Sequence, residues 1–237
     1  MDIIVAAATP AIVAAKQATA TIPIIFVHSA EPVALGLVAS FARPGGNVSG
    51  LSSASPDYSG KQLELLKEAV PKLSRIAVLW NGANPGTAIT FREMQDAVRM
   101  LKLPVHSLEV RRTKDLVPAF KNLPKQRGMG LVTLLDPLVV SQRVRIVELA
   151  AESRLPAIYP QKEFVEAGGL MAYGADLTDS YRRAALIVDK VLKGANPAEL
   201  PIEYPTKFTF TVNLKTAKQI GLTIPPNLLA RAEKVIK

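Results

Sequence analysis

The sequence predicts an α/β protein in which parallel β-sheets carry helices on both faces. Short, fully apolar runs rich in β-branched residues alternate along the chain with longer segments of helical period. The clearest unit, residues 75–110, is an apolar strand, a polar loop, an amphipathic helix and a second strand. That order is a complete βαβ crossover, which joins two parallel strands.

Nine runs are predicted strands, each of about the usual length of five or six residues. The predicted strands are residues 3–7, 24–27, 48–51, 76–80, 105–110, 131–135, 157–159, 170–173 and the alternating run 208–212.

The segments between the strands are predicted helices, and some carry terminal signals. The predicted helices are residues 11–18, 32–40, 60–70, 87–101, 116–122, 141–153, 163–167, 180–193 and 214–220. Ser59 followed by Gln62 three residues later predicts a capping box at the start of one helix. Gly194, with Pro197 beyond it, predicts the end of another.

The order of these elements predicts two lobes. Residues 75–173 hold five strands with four helices between them, which is enough for one doubly wound lobe. Only three strands precede residue 53, so the first lobe is expected to be incomplete. We expect residues 1–53 and 174–205 to form this first lobe, and residues 54–173 and 206–237 to form the second.

Composition excludes several functional classes. The chain has no cysteine and two histidines, which rules out disulfides, iron–sulfur clusters and thiol catalysis and leaves little for a histidine metal site. The net charge of +9 is spread over single residues and pairs, and only 5% of residues are aromatic, so nucleic-acid binding is not expected. Apolar runs are too short to cross a membrane. The first ten residues lack a basic leader, which indicates either a cytoplasmic protein or a chain that starts late.

Catalytic and cofactor motifs are absent from the sequence. It contains no phosphate-binding loop, no G-x-S-x-G nucleophile elbow and no H-E-x-x-H zinc helix. Gly45 and Gly46 precede a predicted strand instead of following one, which indicates a turn and no dinucleotide site. No cofactor and no metal are therefore predicted.

Ligands of open α/β sheets bind beyond the carboxyl ends of the strands, so the residues that follow each strand are the candidates. Thr9 and Pro10 follow the first strand, where Thr9 either holds an anion or caps the next helix. Ser29 and His28 follow the second strand. Ser29 can donate to a ligand. His28 either acts as an acid or base or, as is more common for an isolated histidine beside a strand, is packed or solvated.

The second predicted lobe offers four further candidates. Asn81 and Asn84 either bind a ligand or form Asx turns, and Asp136 either pairs with a ligand ammonium group or caps a helix. Tyr159 is either a ligand wall or part of the core rim. Because these groups include no activated nucleophile, the sequence favours binding and release of a small molecule over catalysis.

Several motifs of the chain, taken in order, resemble one family. These segments are IVAAATP (4–10), AKQA (15–18), ARPGGNV (42–48), LWN (79–81), ANP (83–85), LPAIY (155–159), FVEAGGLM (164–171), YG (173–174), NLKTA (213–217) and GLTIP (221–225). They are similar to the substrate-binding proteins of ABC transporters, a family that includes tryptophan- and tyrosine-type binders. The resemblance spans essentially the whole chain.

The resemblance implies a type I periplasmic-binding-protein fold with two Rossmann-like lobes and a ligand in the interlobe cleft. It implies no enzymatic activity, an extracytoplasmic location, and ABC permease and ATPase partners. The implied ligand is a small organic molecule, with an amino acid as one candidate. A ligand-sensing domain of a regulatory system is the alternative.

The implied ligand-binding residues come from both lobes and from the crossings between them. They are Thr9, Pro10, Ser29, Asn81, Asn84, Asp136, Tyr159, Tyr173, Gly174, Asp57 and Tyr58. Glu31 stands where the family usually has aspartate, and Gly82 stands where proline is common, so the ligand does not follow from the resemblance.

Overall fold

The computed structural model describes residues 2–53, 57–124 and 128–237, which fall into two compact units. Of these, unit 1 contains residues 2–53, 84–89 and 175–207, and unit 2 contains residues 57–83, 90–124, 128–174 and 208–237.

The strands, in chain order, are β1 (Ile4–Ala7), β2 (Ile24–Ser29), β3 (Val48–Ser52), β4 (Arg75–Asn81), β5 (Val105–Val110), β6 (Met129–Thr133), β7 (Ala157–Tyr159), β8 (Met171–Ala175), β9 (Phe208–Asn213) and β10 (Lys234–Ile236). The helices are α1 (Thr9–Ala18), α2 (Tyr58–Ala69), α3 (Pro85–Met100), α4 (Leu116–Lys121), α5 (Pro137–Ser141), α6 (Arg143–Glu152), α7 (Lys162–Glu166), α8 (Leu177–Leu192), α9 (Leu214–Gln219) and α10 (Pro226–Leu229).

Unit 1 is built on a parallel sheet with the order β1-β2-β3. Alternate residues of β2 face opposite sides of this sheet. Phe26 packs with Ile12 of α1 on one side, and Val27 packs with Ala184 and Ile187 of α8 on the other. Burial on both faces explains why β2 is a continuous apolar run.

Unit 2 contains the larger sheet, with the order β10-β9-β8-β7-β6-β4-β5. The pairs β4–β5, β4–β6, β6–β7, β7–β8 and β9–β10 are parallel. Consecutive strands lie on opposite sides of β4, because β5 pairs with one edge of β4 and β6 with the other. This reversal is a topological switch point, the place where open α/β sheets bind ligands.

The structure confirms the α/β class, the parallel pairing and the three-stranded sheet of unit 1. It places the strand predicted at 131–135 two residues earlier, at β6. The short elements α10 and β10 were not predicted. Gly194 has a φ of +97° directly after the C-cap of α8, which confirms the predicted end of that helix.

Two predictions about helices are wrong. Residues 32–40 form turns, because Gly36 adopts a left-handed φ of +65° that a continuous helix excludes. The Lys16 ammonium donates to the carbonyl oxygens of Gly36 and Leu37, both at 2.7 Å. The capping box is absent, since α2 already begins at Tyr58 and Ser59 lies inside it.

Gly50 determines how closely β3 approaches β2. A Cβ atom on Gly50 would lie 2.1 Å from the carbonyl oxygen of Phe26 and 2.7 Å from its nitrogen. These are backbone atoms of the central strand, which cannot rotate away. Residue 50 must therefore be glycine for the strands to pair as they do.

We predict that Gly50→Ala lowers the free energy of unfolding by about 1–3 kcal/mol, because the added methyl group forces β2 and β3 apart. Urea unfolding followed by circular dichroism measures the change. Gly60→Ala is the matched control, since a Cβ at Gly60 in the first turn of α2 meets nothing within 4 Å. The control should change the free energy by less than about 1 kcal/mol. Equal stability of both variants would contradict the close approach.

Candidate functional site

The switch point of the large sheet brings together two of the predicted site residues. Asn81 ends β4, and Asp136 lies three residues beyond the end of β6. The Asn81 amide nitrogen donates to Asp136 Oδ1 at 3.0 Å, and the Leu138 N–H donates to the same oxygen at 2.8 Å. Asp136 is almost fully buried, with 1% of its surface exposed. Two residues that are 55 positions apart thus form one rigid polar group.

Both predicted structural roles of these residues are present. Asp136 is the N-cap of α5, and Asn81 forms an Asx turn in which its side-chain oxygen accepts from the Ala83 N–H at 2.9 Å. These contacts hold the side chains in one orientation. A carboxylate and an amide held in this way are preorganised, so they do not need to be ordered again when a ligand binds.

Thr9 and the start of α3 form a second polar group, which belongs to unit 1. Asn84 accepts from the Gly86 N–H at 2.9 Å, and the Thr87 hydroxyl donates to the Asn84 carbonyl oxygen at 3.0 Å. A Cβ on Gly86 would lie 2.6 Å from the Thr9 hydroxyl oxygen. Thr9, Asn84 and Thr87 are all buried.

The start of α1 differs from the predicted capping arrangement. Ala8 occupies the N-cap position, with a φ of +67°, and no side chain caps the helix. Thr9 is therefore the first helical residue and Pro10 the second. Ser29, at the end of β2, is completely buried, and its hydroxyl donates to the Ala30 carbonyl oxygen at 3.3 Å.

His28 is a residue of this edge that the sequence left among the weak candidates. Neither ring nitrogen has a hydrogen-bond partner among the described residues, and both are buried. Burial lowers the pKa of His28 to about 4, so the ring is neutral at pH 7. The ring packs edge-on against Tyr181 of α8, with 5.9 Å between the ring centroids.

The predicted residues Tyr58 and Tyr173 belong to an aromatic cluster of unit 2 with Phe208. The Tyr58 hydroxyl donates to the Tyr173 carbonyl oxygen at 3.1 Å and accepts from the Gln62 amide at 3.0 Å. Burial raises the pKa of both tyrosines, most strongly that of Tyr58. The Tyr58 hydroxyl is thus used inside the unit, whereas the Tyr173 side chain is partly accessible.

The remaining predicted residues occupy three different environments. Tyr159 is buried and stacks on Phe164 at 4.9 Å between ring centroids, and burial raises the pKa of its hydroxyl. Gly174 passes so close to β7 that a Cβ would lie 1.8 Å from the Pro160 carbonyl oxygen. Asp57 is exposed at the start of α2.

The described residues contain neither a metal-binding cluster nor a membrane-spanning helix. Among residues 2–53, 57–124 and 128–237, no group of three or more histidine, aspartate or glutamate side chains is arranged to hold a metal ion. Within the same ranges, none of the helices combines the length and the apolar character that crossing a membrane requires.

The family model for ABC transporter substrate-binding proteins matches residues 1–236, and the chain therefore belongs to that family. This confirms the resemblance found in the sequence. The tyrosine-binding protein of Clostridioides difficile (strain R20291) is 30% identical over 227 residues, a match that includes 93% of this chain and 63% of the relative. An uncharacterised protein of Rickettsia prowazekii is 28% identical over 138 residues, which are 55% of this chain and 45% of that protein. The chain thus spans less than two thirds of these relatives.

Two solved structures with the same sequence identity show the fold. The ABC domain from Streptococcus pneumoniae in complex with L-Trp is 27% identical, with a TM-score of 0.92 over 99% of this chain and 79% of that one. The ligand-free, open structure of a substrate-binding protein with adhesive properties from Clostridium difficile is also 27% identical, with a TM-score of 0.71 over 100% and 78%. These similarities confirm the predicted type I periplasmic-binding-protein fold.

The neutral state of His28 gives a testable pH dependence of stability. The folded chain takes up a proton at His28 near pH 4, whereas the unfolded chain does so near pH 6.5. The unfolded state therefore binds more protons between these values, and the free energy of unfolding falls as the pH is lowered. His28 should account for a loss of about 3 kcal/mol between pH 7 and pH 4.

Urea unfolding of the wild type and of His28→Phe at both pH values measures this loss. The variant keeps a ring against Tyr181 but cannot titrate, so its loss should be smaller by about 3 kcal/mol. His106→Phe removes the other histidine and serves as the control. An identical loss in the wild type and in His28→Phe would show that folding does not lower the pKa of His28.

Proposed function

We propose that this chain is the solute-binding component of an ABC import system and that it binds a small organic ligand at the carboxyl edges of its sheets. An α-amino acid is the leading candidate. The observation that carries this proposal is the buried Asn81–Asp136 pair at the switch point of the large sheet.

The chemistry of this pair suits a ligand with an ammonium group. Two uncharged groups, the Asn81 amide and the Leu138 N–H, donate to Asp136 Oδ1. A ligand ammonium group would complement the negative charge of the buried carboxylate, and hydrogen bonds between charged groups are about twice as strong as neutral ones. Asn81 would keep the carboxylate oriented towards that group.

The polar groups of unit 1 suit an anionic group such as a carboxylate. Thr9 lies at the N-terminus of α1, where a hydroxyl and the helix dipole favour an anion such as a carboxylate. The relatives support the same ligand class, since one is a tyrosine-binding protein and one structure contains L-Trp. L-tyrosine and L-tryptophan are therefore the first ligands to test.

The proposal also covers activity, partners and location. We propose that the ligand is bound and released unchanged, because the candidate residues pair no nucleophile with a general base. An ABC permease and an ATPase would be the partners, and the chain would act outside the cytoplasm. Family membership supports these proposals.

Isothermal titration against the twenty amino acids tests the proposal, and Asp136→Asn locates the site. Asparagine caps a helix about as well as aspartate, so the free energy of unfolding should change by less than about 1 kcal/mol. The loss of charge should weaken binding by about tenfold or more.

Asp176→Asn is the matched control, because Asp176 is also an N-capping aspartate but lies outside the candidate set. It should bind the ligand as the wild type does. Absence of heat with every amino acid would reject the amino-acid version of the proposal, and unchanged affinity in Asp136→Asn would reject the role of Asp136.

A further inference from the structure

We propose that His28 contacts the ligand and determines specificity in unit 1, where its imidazole N–H donates a hydrogen bond to the carboxylate of the bound amino acid. The inference rests on the proposed function, since it presupposes an amino-acid ligand. It adds a residue that the motifs shared with the family do not include.

The position of His28 is fixed next to Thr9. The Ala8 N–H donates to the Val27 carbonyl oxygen at 3.0 Å, which holds the end of β1 against the end of β2. Thr9 directly follows Ala8, and His28 directly follows Val27. The two side chains therefore leave adjacent strands at the same level of the carboxyl edge, where ligands of such sheets bind.

A break in the regular pairing reorients the His28 side chain. The register between β2 and β3 shifts between Val27 and Ser29, so His28 is the residue of an irregularity that resembles a β-bulge. Its φ is +61°, and its ring packs against Tyr181 of α8. Bulges at strand ends commonly direct a side chain towards a functional site.

The ring lacks the partners that a structural histidine would have. A neutral imidazole has one N–H donor and one acceptor nitrogen, and here both nitrogens are buried with no partner among the described residues. A buried polar group without a partner costs about 1–3 kcal/mol of stability. A group outside the chain, such as a ligand carboxylate, would supply the missing acceptor.

Backbone strain is concentrated at the same edge. Within the described part of the chain, five residues other than glycine have positive φ values, and three of them are Ala8, His28 and Glu31. Ala8 and Glu31 lie just beyond strands of the small sheet, and His28 lies near the end of β2. Strain of this kind costs stability and persists mainly at functional sites. It therefore agrees with a ligand role for His28.

The test compares L-tyrosine with tyramine, which lacks the carboxylate, in the wild type and in His28→Phe. Isothermal titration should show that His28→Phe binds L-tyrosine about tenfold more weakly than the wild type does, whereas tyramine affinity changes less than twofold. If L-tryptophan is the better ligand, tryptamine takes the place of tyramine. His106→Phe is the control and should bind both compounds as the wild type does.

Stability separates a ligand role from a structural one. His28→Phe removes two buried nitrogens that no described residue hydrogen-bonds. In the absence of ligand its urea midpoint at pH 7 should therefore equal or exceed that of the wild type. A lower midpoint of the variant would overturn the role of His28. If the wild type binds L-tyrosine and the variant binds it equally well, that result would also overturn the role of His28, but not the proposed ligand class. A wild type that binds no amino acid would overturn the proposed ligand class, and this inference with it.

If His28→Phe does not fold, nuclear magnetic resonance of the wild type decides. The chain has two histidines, so the imidazole signals of His28 and His106 are easily assigned. L-tyrosine at saturation should shift the His28 ring signals and leave those of His106 unchanged. Unchanged His28 signals would overturn the proposal.

Discussion

Parallel strand pairing is the constraint on which the rest of the structure depends. In a parallel sheet all strands end at the same edge, so the loops that follow them are neighbours even when they are far apart in the chain. In unit 2 this brings Asn81 and Asp136 within 3.0 Å at the point where the strand order reverses. In unit 1 it places Thr9, His28 and Ser29 at the ends of β1 and β2.

The two edges differ in how they satisfy their polar groups. At the switch point the Asp136 carboxylate accepts from a side-chain amide and from the start of α5, so the fold alone keeps it in place. At the end of β2 the buried His28 nitrogens have no hydrogen-bond partner in the described part of the chain, and the backbone is strained there. We infer that unit 1 is less stable than it would be with these polar groups satisfied and its backbone unstrained, and that this arrangement serves ligand binding. Such a trade-off between stability and function is common at functional sites.

Much of the fold could be predicted because strands buried on both faces are continuous apolar runs, and β5 and β7 were predicted to the residue. The wrong predictions concern segments whose local structure is determined by residues far away in the chain. The helix predicted at 32–40 does not form, and the carbonyl oxygens of Gly36 and Leu37 accept hydrogen bonds from the ammonium group of Lys16, which is distant in the chain. The sequence also predicted Asp136 as a candidate, but its contact with Asn81 exists only after β4 and β6 have paired. The proposed ligand role of His28 depends on the register shift between β2 and β3, which no residue type in the sequence indicates.

The central claim is that an amino acid binds at the carboxyl ends of the parallel strands. Amide chemical-shift mapping of the labelled protein during titration with L-tyrosine or L-tryptophan tests it most directly. We expect the largest changes in residues 8–10, 28–30, 81–84 and 136–138. Changes concentrated at the opposite edge, for example near Pro104 and Pro156, which precede β5 and β7, would contradict the account.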